Sequence, residues 1–300
     1  MQQDNPIRLE IENLSKTYNN GVTALNNVNL TINRGIFGLL GPNGAGKSSL
    51  MRTLATLQEA DAGAVKLGQL NVLDDPAAVR ATLGYLPQEF GVYPNVTARK
   101  LLDQIAVFKG IGGPSVRHKI VDQQLELVNL SAHRDQALGT FSGGMRQRFG
   151  IAQALLGDPA LVIVDEPTAG LDPAERVRFH NLLATVAENR VLMMSTHIVE
   201  DVSDLCTDMA IMLAGKIVLR GAPAEQIAKL NGRVWTCDND NDNDIDLGED
   251  QSLITARMVR GTRRVRVLAD MAPGANYESA DADLNDVYFC ALNGLIERLN

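Results

Sequence analysis

The sequence predicts an α/β fold built around a parallel sheet, with a small α+β segment following it. Three observations carry this reading. Over residues 1–220, short apolar strand patterns alternate with helical ones. Two of the strands, Leu161-Val162-Ile163-Val164 and Val191-Leu192-Met193-Met194, are unbroken apolar runs, as expected of parallel strands buried on both faces. A third, Gly35 to Leu40, runs directly into a glycine-rich loop with a helix pattern behind it.

Taken in order, Arg8 to Asn13 and Leu25 to Ile32 read as strands, with a turn at Asn19-Asn20-Gly21 between them. Ser49 to Leu57 reads as a helix and Gly63 to Val72 as a short hairpin. From Thr97 the period changes: Leu101, Leu102, Ile105 and Phe108 share one helix face, and Val116, Ile120 and Val121 begin another after Gly112-Gly113-Pro114. This predicts a helical insertion over about 88–158 within the α/β frame. The composition shifts near Gly221, which separates residues 1–220 from a second unit at 221–300. There Pro223 opens a short helix (Ala224 to Leu230), and Arg233 to Cys237 forms a strand ahead of an acidic Asn/Asp loop at 238–250. Ile254 to Leu268 alternates apolar and basic residues, and Leu284 to Leu299 is helical.

Composition narrows the function classes. The net charge of -8 argues against coating nucleic acid, which needs clustered Lys and Arg, so no nucleic-acid partner is expected. No stretch approaches the roughly 18–20 consecutive apolar residues that span a bilayer. The opening residues MQQDNPIRLEIE contain no apolar signal segment. Cys206, Cys237 and Cys290 fit neither a disulfide framework nor a zinc site and read as reduced thiols. The expected setting is cytoplasmic.

The residues Gly41-Pro42-Asn43-Gly44-Ala45-Gly46-Lys47-Ser48, with Ser49 behind them, fit the G-x-x-x-x-G-K-[ST] phosphate loop of a P-loop NTPase fold. Glycines let successive N–H groups turn toward a phosphate where a Cβ would obstruct, and the helix N-terminus adds partial positive charge. Lys47 reaches terminal phosphates, and the Ser48 hydroxyl suits Mg²⁺. This loop alone does not distinguish a kinase, a GTPase, a helicase and a transport motor. Further along, Phe141-Ser142-Gly143-Gly144-Met145-Arg146-Gln147-Arg148 opens a helix that Ser142 can cap, with two glycines leaving its first amides accessible. The strand Leu161 to Val164 then delivers Asp165 and Glu166 side by side. Adjacent buried acids repel, and a cation is their natural compensator. That reasoning gives Asp165 to Mg²⁺ and leaves Glu166 to orient or deprotonate a water.

In order and spacing these residues resemble the nucleotide-binding domain of the ATP-binding cassette (ABC) family, over about residues 8 to 220. The resemblance implies an ATPase that uses ATP and Mg²⁺, with an ABC-type helical subdomain. It places Tyr18 against adenine and residues 41–49 on the phosphates, and it makes Gln88 the Q-loop glutamine, a Mg²⁺ and water sensor. Phe141 to Gln147 becomes the signature motif, Asp165 and Glu166 the Walker B pair, and Asp172 part of the D-loop. His197 becomes the switch histidine beside the catalytic Glu166, Gln88 and Lys47. It further implies a homodimer, or a pair with a second cassette, in which Ser142, Gly143, Gly144 and Asp172 serve the partner's ATP in trans. An integral-membrane permease is the other implied partner, docked on Glu89 to Val96 at the cytoplasmic face of the inner membrane. Residues 85–94 are most similar to exporter-type cassettes with a separate permease, and Asp283 to Tyr288 is similar to an exporter accessory segment.

Two rival classes within the superfamily fit less well. Repair-type ATPases carry a long coiled coil between phosphate loop and signature, where this chain has fewer than a hundred residues. Translation factors usually carry two cassettes. Import stays open beside export, because the cassette itself encodes no direction. The acidic tract has its own echo of a calcium loop, with Asp238, Asp240, Asp242 and Glu249 at loop positions 1, 3, 5 and 12, but Asn243 replaces the turn glycine and the flanks read as strands. A solvated acidic hairpin loop is the expectation there. His118, His133 and His180 read as surface or helix residues without partner motifs.

Overall fold

The structure, a computed structural model, describes residues 7–239, 247–248 and 250–299. It opens on β1 (Leu9–Thr17) and β2 (Thr23–Ile32), followed by β3 (Gly35–Leu40), α1 (Lys47–Leu54), β4 (Ala62–Leu67) and β5 (Leu70–Asn71). The sequence reading anticipated these elements with slightly different ends. Next come α2 (Pro76–Thr82) and β6 (Leu83–Leu86), which it did not anticipate. The helical layer is α3 (Ala98–Phe108), α4 (Pro114–Leu127) and α5 (Gly143–Leu155). The chain then alternates through β7 (Leu161–Asp165), α6 (Pro173–Ala187), β8 (Val191–Thr196), α7 (Val199–Leu205), β9 (Asp208–Leu213) and β10 (Lys216–Gly221). The remaining elements are α8 (Pro223–Ala228), β11 (Val234–Asn239), β12 (Ser252–Val259), β13 (Thr262–Leu268), β14 (Glu278–Ser279) and α9 (Leu284–Leu292).

Six strands form the central sheet in the order β10-β9-β3-β8-β7-β6. All its pairings are parallel except the β9–β10 hairpin. Strand alternation makes this sheet a partition between two cores. Phe37, Leu39, Leu161, Ile163, Val191 and Met193 face one side, where they pack with α1 and the antiparallel sheet β2-β1-β4-β5. Ile36, Leu40, Val162, Val164, Leu192 and Met194 face the other, against the helices. The continuous apolar runs thus reflect burial on both faces.

The helix α5 lies very close on β6. A Cβ on Gly84 would sit 2.2 Å from the Ala154 carbonyl oxygen, and one on Gly150 would meet Leu86 Cδ1 at 2.5 Å. The β9–β10 turn is Ala214-Gly215, both at positive φ (46° and 78°). That geometry suits a tight hairpin, and it usually calls for Asn-Gly.

After Gly221, β12-β13-β11-β14 form a third, antiparallel sheet. The predicted run Ile254 to Leu268 is a β12–β13 hairpin, and the predicted C-terminal helix breaks after Leu292 into a separate 3-10 turn at Ile296–Leu299. Asp283 and Asp286 form a reciprocal capping box at the start of α9, and the Asp286 carboxylate also accepts two bonds from the Arg266 guanidinium at 2.7 and 2.6 Å. Leu284, Val287, Cys290 and Ala291 of α9 join the same apolar cluster as the helical layer and β9. Asp240, Asp242 and Glu249 of the calcium-loop echo lie outside the described residues, and its flanks are the strands β11 and β12.

Because a backbone oxygen cannot step aside, Gly84→Ala is expected to lower stability by about 1–3 kcal/mol, the usual cost of overpacking. Urea denaturation should show a lower midpoint at an unchanged slope.

Candidate functional site

The phosphate loop leaves β3 and closes on α1, whose N-cap is Gly46 at φ 108°. Two of its three glycines are also fixed by packing. A Cβ on Gly41 would meet the Met212 carbonyl oxygen at 2.4 Å, and one on Gly46 the Ala24 carbonyl oxygen at 2.3 Å. The Lys47 side chain folds back along the loop, donating to the Gly41 and Pro42 carbonyls at 2.6 and 3.2 Å. Burial pushes the Lys47 ammonium below the usual lysine range, while the nearby Glu166 and Asp165 carboxylates oppose that shift.

Glu166 is where the separate segments meet. Its Oε1 lies 3.9 Å from Lys47 Nζ and 3.2 Å from His197 Nδ1, and its Oε2 accepts from Gln88 Nε2 at 3.1 Å. The residue is only 8 % exposed, and its backbone is left-handed, with φ at 48°. A bulky residue in that region carries local strain and needs support from its neighbours. Part of the support comes from β8. The Glu166 N–H donates to the Ser195 carbonyl at 3.0 Å, and the Ser195 hydroxyl donates to the Asp165 carboxylate.

These groups border a cleft of about 700 Å³ lined by Tyr18, residues 43–49, Gln88, Glu166 and His197. Gly41 and Pro42, whose carbonyls accept from Lys47, and the buried Asp165 do not line it. The Tyr18 hydroxyl is hydrogen-bonded to Ser49 Oγ at 2.9 Å and donates to Gln58 Oε1 at 3.0 Å, so its ring is anchored to α1. Ser142, Gly143, Gly144 and Asp172 do not line this cleft. Ser142 caps α5, accepting from the Met145 N–H at 3.2 Å, and Asp172 caps α6, accepting from the Glu175 N–H at 2.8 Å. Phe141 is buried edge-on against Phe149. A second groove of about 520 Å³ runs between Gln88 to Gly91 and Gly143 to Gln147.

Residues 25–169 match the family model described as ABC transporter. The chain is 32% identical over 301 residues to the Nod factor export ATP-binding protein I of Ralstonia nicotianae, covering 93% of this chain and 92% of that protein. The chain belongs to the ABC transporter family. It is also 37% identical over 218 residues to the human phospholipid-transporting ATPase ABCA7, a match covering 72% of this chain but spanning only 10% of that protein. Among solved structures, the dimeric post-hydrolysis state of the ATP-binding cassette MJ0796 bound to ADP and Pi superposes with a TM-score of 0.65 at 25% identity. That match covers 71% of this chain and 98% of the other.

The cassette holds two side chains that the sequence reading passed over. Glu175, on the first turn of α6, sits where a Cβ on Gly144 would be, 2.4 Å from its Oε2, and lies 3.6 Å from Arg148 Nε and 2.6 Å from Arg178 Nη1. It ties α5 to α6, the helix that Asp172 caps. Asp201, on α7, is fully buried and lies 2.8 Å from His180 Nε2. His180 is a helix residue, as the sequence predicts, and the side chain it meets lies on α7, in no motif with it. Neither acid stands in a motif; each sits among charged helix residues, as in Val-Glu-Asp-Val, which by spacing read as solvated.

Gly144 is therefore under a steric constraint from its own chain. Because Glu175 is a side chain that can swing aside, Gly144→Ala is expected to cost less than Gly84→Ala, the loss coming from displacing Glu175 from Arg148 and Arg178. In a Glu175→Ala background the same substitution should cost little, as a double-mutant denaturation cycle would read.

Proposed function

We propose that this cassette is the ATP-binding and ATP-hydrolysing subunit of an ABC transporter, working as a dimer on a separately encoded membrane permease and driving export. The observation that carries the chemistry is the convergence on Glu166 of Lys47, Gln88 and His197, at the edge of a loop built to hold phosphates. The likeness to an export ATP-binding protein along nearly the whole chain supports the direction.

In this reading the amides of residues 43–48 and the Lys47 ammonium take the nucleotide's phosphates, with charge neutralisation as the main catalytic term. Tyr18, at the cleft's outer rim, takes the adenine. Glu166 accepts a hydrogen bond from the attacking water and draws off its proton, while Gln88 and His197 hold its carboxylate in place. Ser48, the Gln88 amide and Asp165 offer oxygen donors, a set that suits Mg²⁺ sharing its shell with phosphates and waters. When bound, that ion supplies positive charge to the phosphate oxygens.

Ser142 to Gly144 and Asp172 lie off this cleft, which supports a composite site: they would complete the partner's cleft across a dimer. The groove between Gln88 to Gly91 and the start of α5, with Tyr93 two-thirds exposed nearby, is the surface offered to the permease. No helix among the described residues is long and apolar enough to cross a membrane. The cassette would sit on the permease at the cytoplasmic face of the inner membrane.

Glu166→Gln is expected to bind ATP normally and to hydrolyse it at least ~100-fold more slowly, the scale of a positioned base. Near-normal turnover by the purified variant would remove Glu166 from this role. Mixing Lys47→Ala with Ser142→Arg subunits, both in the Glu166→Gln background, should restore ATP-dependent dimers that neither forms alone. Light scattering that shows no recovery at any ratio would count against the shared site.

A further inference from the structure

We infer that Asp201 is a positioning residue that holds Glu166 in its working geometry, an inference that rests on the ATP-hydrolysing reading. Its carboxylate is fully buried and joins three segments. Oδ2 accepts from the hydroxyl of Thr168 at 2.5 Å and, more loosely, from that of Thr196 at 3.4 Å. Oδ1 accepts from Arg176 Nε at 2.7 Å and lies 2.8 Å from His180 Nε2. Thr168 is two residues beyond Glu166, Thr196 immediately precedes His197, and Arg176 and His180 lie on consecutive turns of α6.

The need for such a clamp follows from the backbone. Glu166 is held at φ 48°, and strain of this kind persists only where the surroundings over-determine it. Ser195 holds the turn from the strand side, through the Glu166 N–H. On the exit side, the hydrogen bond from Thr168 to Asp201 fixes the chain, and Arg176 and His180 fix Asp201 in turn. A buried carboxylate with four partners on α6, the β7 exit and the end of β8 is a rigid post. Without it, the chain after Glu166 can relax toward ordinary φ and carry the carboxylate away from Gln88 and His197. The phosphate loop shares no hydrogen bond with this cluster. Loss of the clamp should therefore separate turnover from nucleotide binding.

Asp201→Ala would strand Arg176 and His180 and could unfold the chain, so the informative variant is Thr168→Val, which removes one hydroxyl at nearly constant shape. In the full-length protein it is expected to lower kcat for Mg-ATP by on the order of 10- to 100-fold, the scale of a misplaced catalytic group. The KM for ATP and the affinity for a fluorescent ATP analogue should stay near wild type, and Thr168→Ser should recover the rate. Asp201→Asn should lower kcat in the same way, and the Thr168→Val, Asp201→Asn double variant should be no slower than Asp201→Asn alone, because both act through one contact. An active wild type with an unimpaired Thr168→Val variant would overturn the positioning role and leave the proposed function standing. So would additive losses, or affinity that falls in step with kcat. A wild type that binds ATP without turning it over would overturn both.

Discussion

Two neighbouring carboxylates at the end of a buried strand set the terms for everything around them. Asp165 and Glu166 are 4 % and 8 % exposed, and in such surroundings like charges raise each other's energy unless donors and cations surround them. The sheet order supplies those donors. With β3, β8, β7 and β6 adjacent and parallel, their C-terminal ends gather at one edge, where open α/β sheets place their ligands. Lys47 arrives from the loop after β3, Ser195 and His197 from the end of β8, and Gln88 from just beyond β6. Each strand contributes its compensating group only because it lies in that order.

The helix α6 extends the same logic beyond the cleft. Its first turn carries Glu175 against α5, and Arg176 and His180 face Asp201. This helix thus touches both Asp201, the proposed support of Glu166, and the helix whose first residues would serve the partner's nucleotide. A packed helix that contacts both places is a physical connection between them, and a double-mutant cycle across α6 would read any coupling it carries.

Much of this was legible in the sequence, for identifiable reasons. The runs Leu161 to Val164 and Val191 to Met194 are apolar throughout because both their faces are covered. The phosphate loop shows because glycine spacing and a lysine are both required there. What stayed hidden lacked a periodic signal. β6 is only four residues long with a glycine inside it, and α2 buries a single side chain, Val79. The β9–β10 turn adopts its hairpin geometry with alanine at a position where asparagine would have announced it. Asp201 and Glu175 are single acids on helices, and only the tertiary arrangement distinguishes them from solvated charges.

The way α9 is seated bears on how the chain comes apart. Its apolar face is continuous with the core that lines the helical side of the central sheet, so the last quarter of the polypeptide is not hung on a tether. Leu284, Val287 and Cys290 are covered by the same body that carries the nucleotide cleft. Shortening the chain at Gly221 would therefore uncover a strip of oily surface on α7 and β9, and the stump would tend to aggregate even though every residue of the nucleotide cleft remained. Because the two regions share one apolar cluster, heat or denaturant should meet them together rather than one after the other.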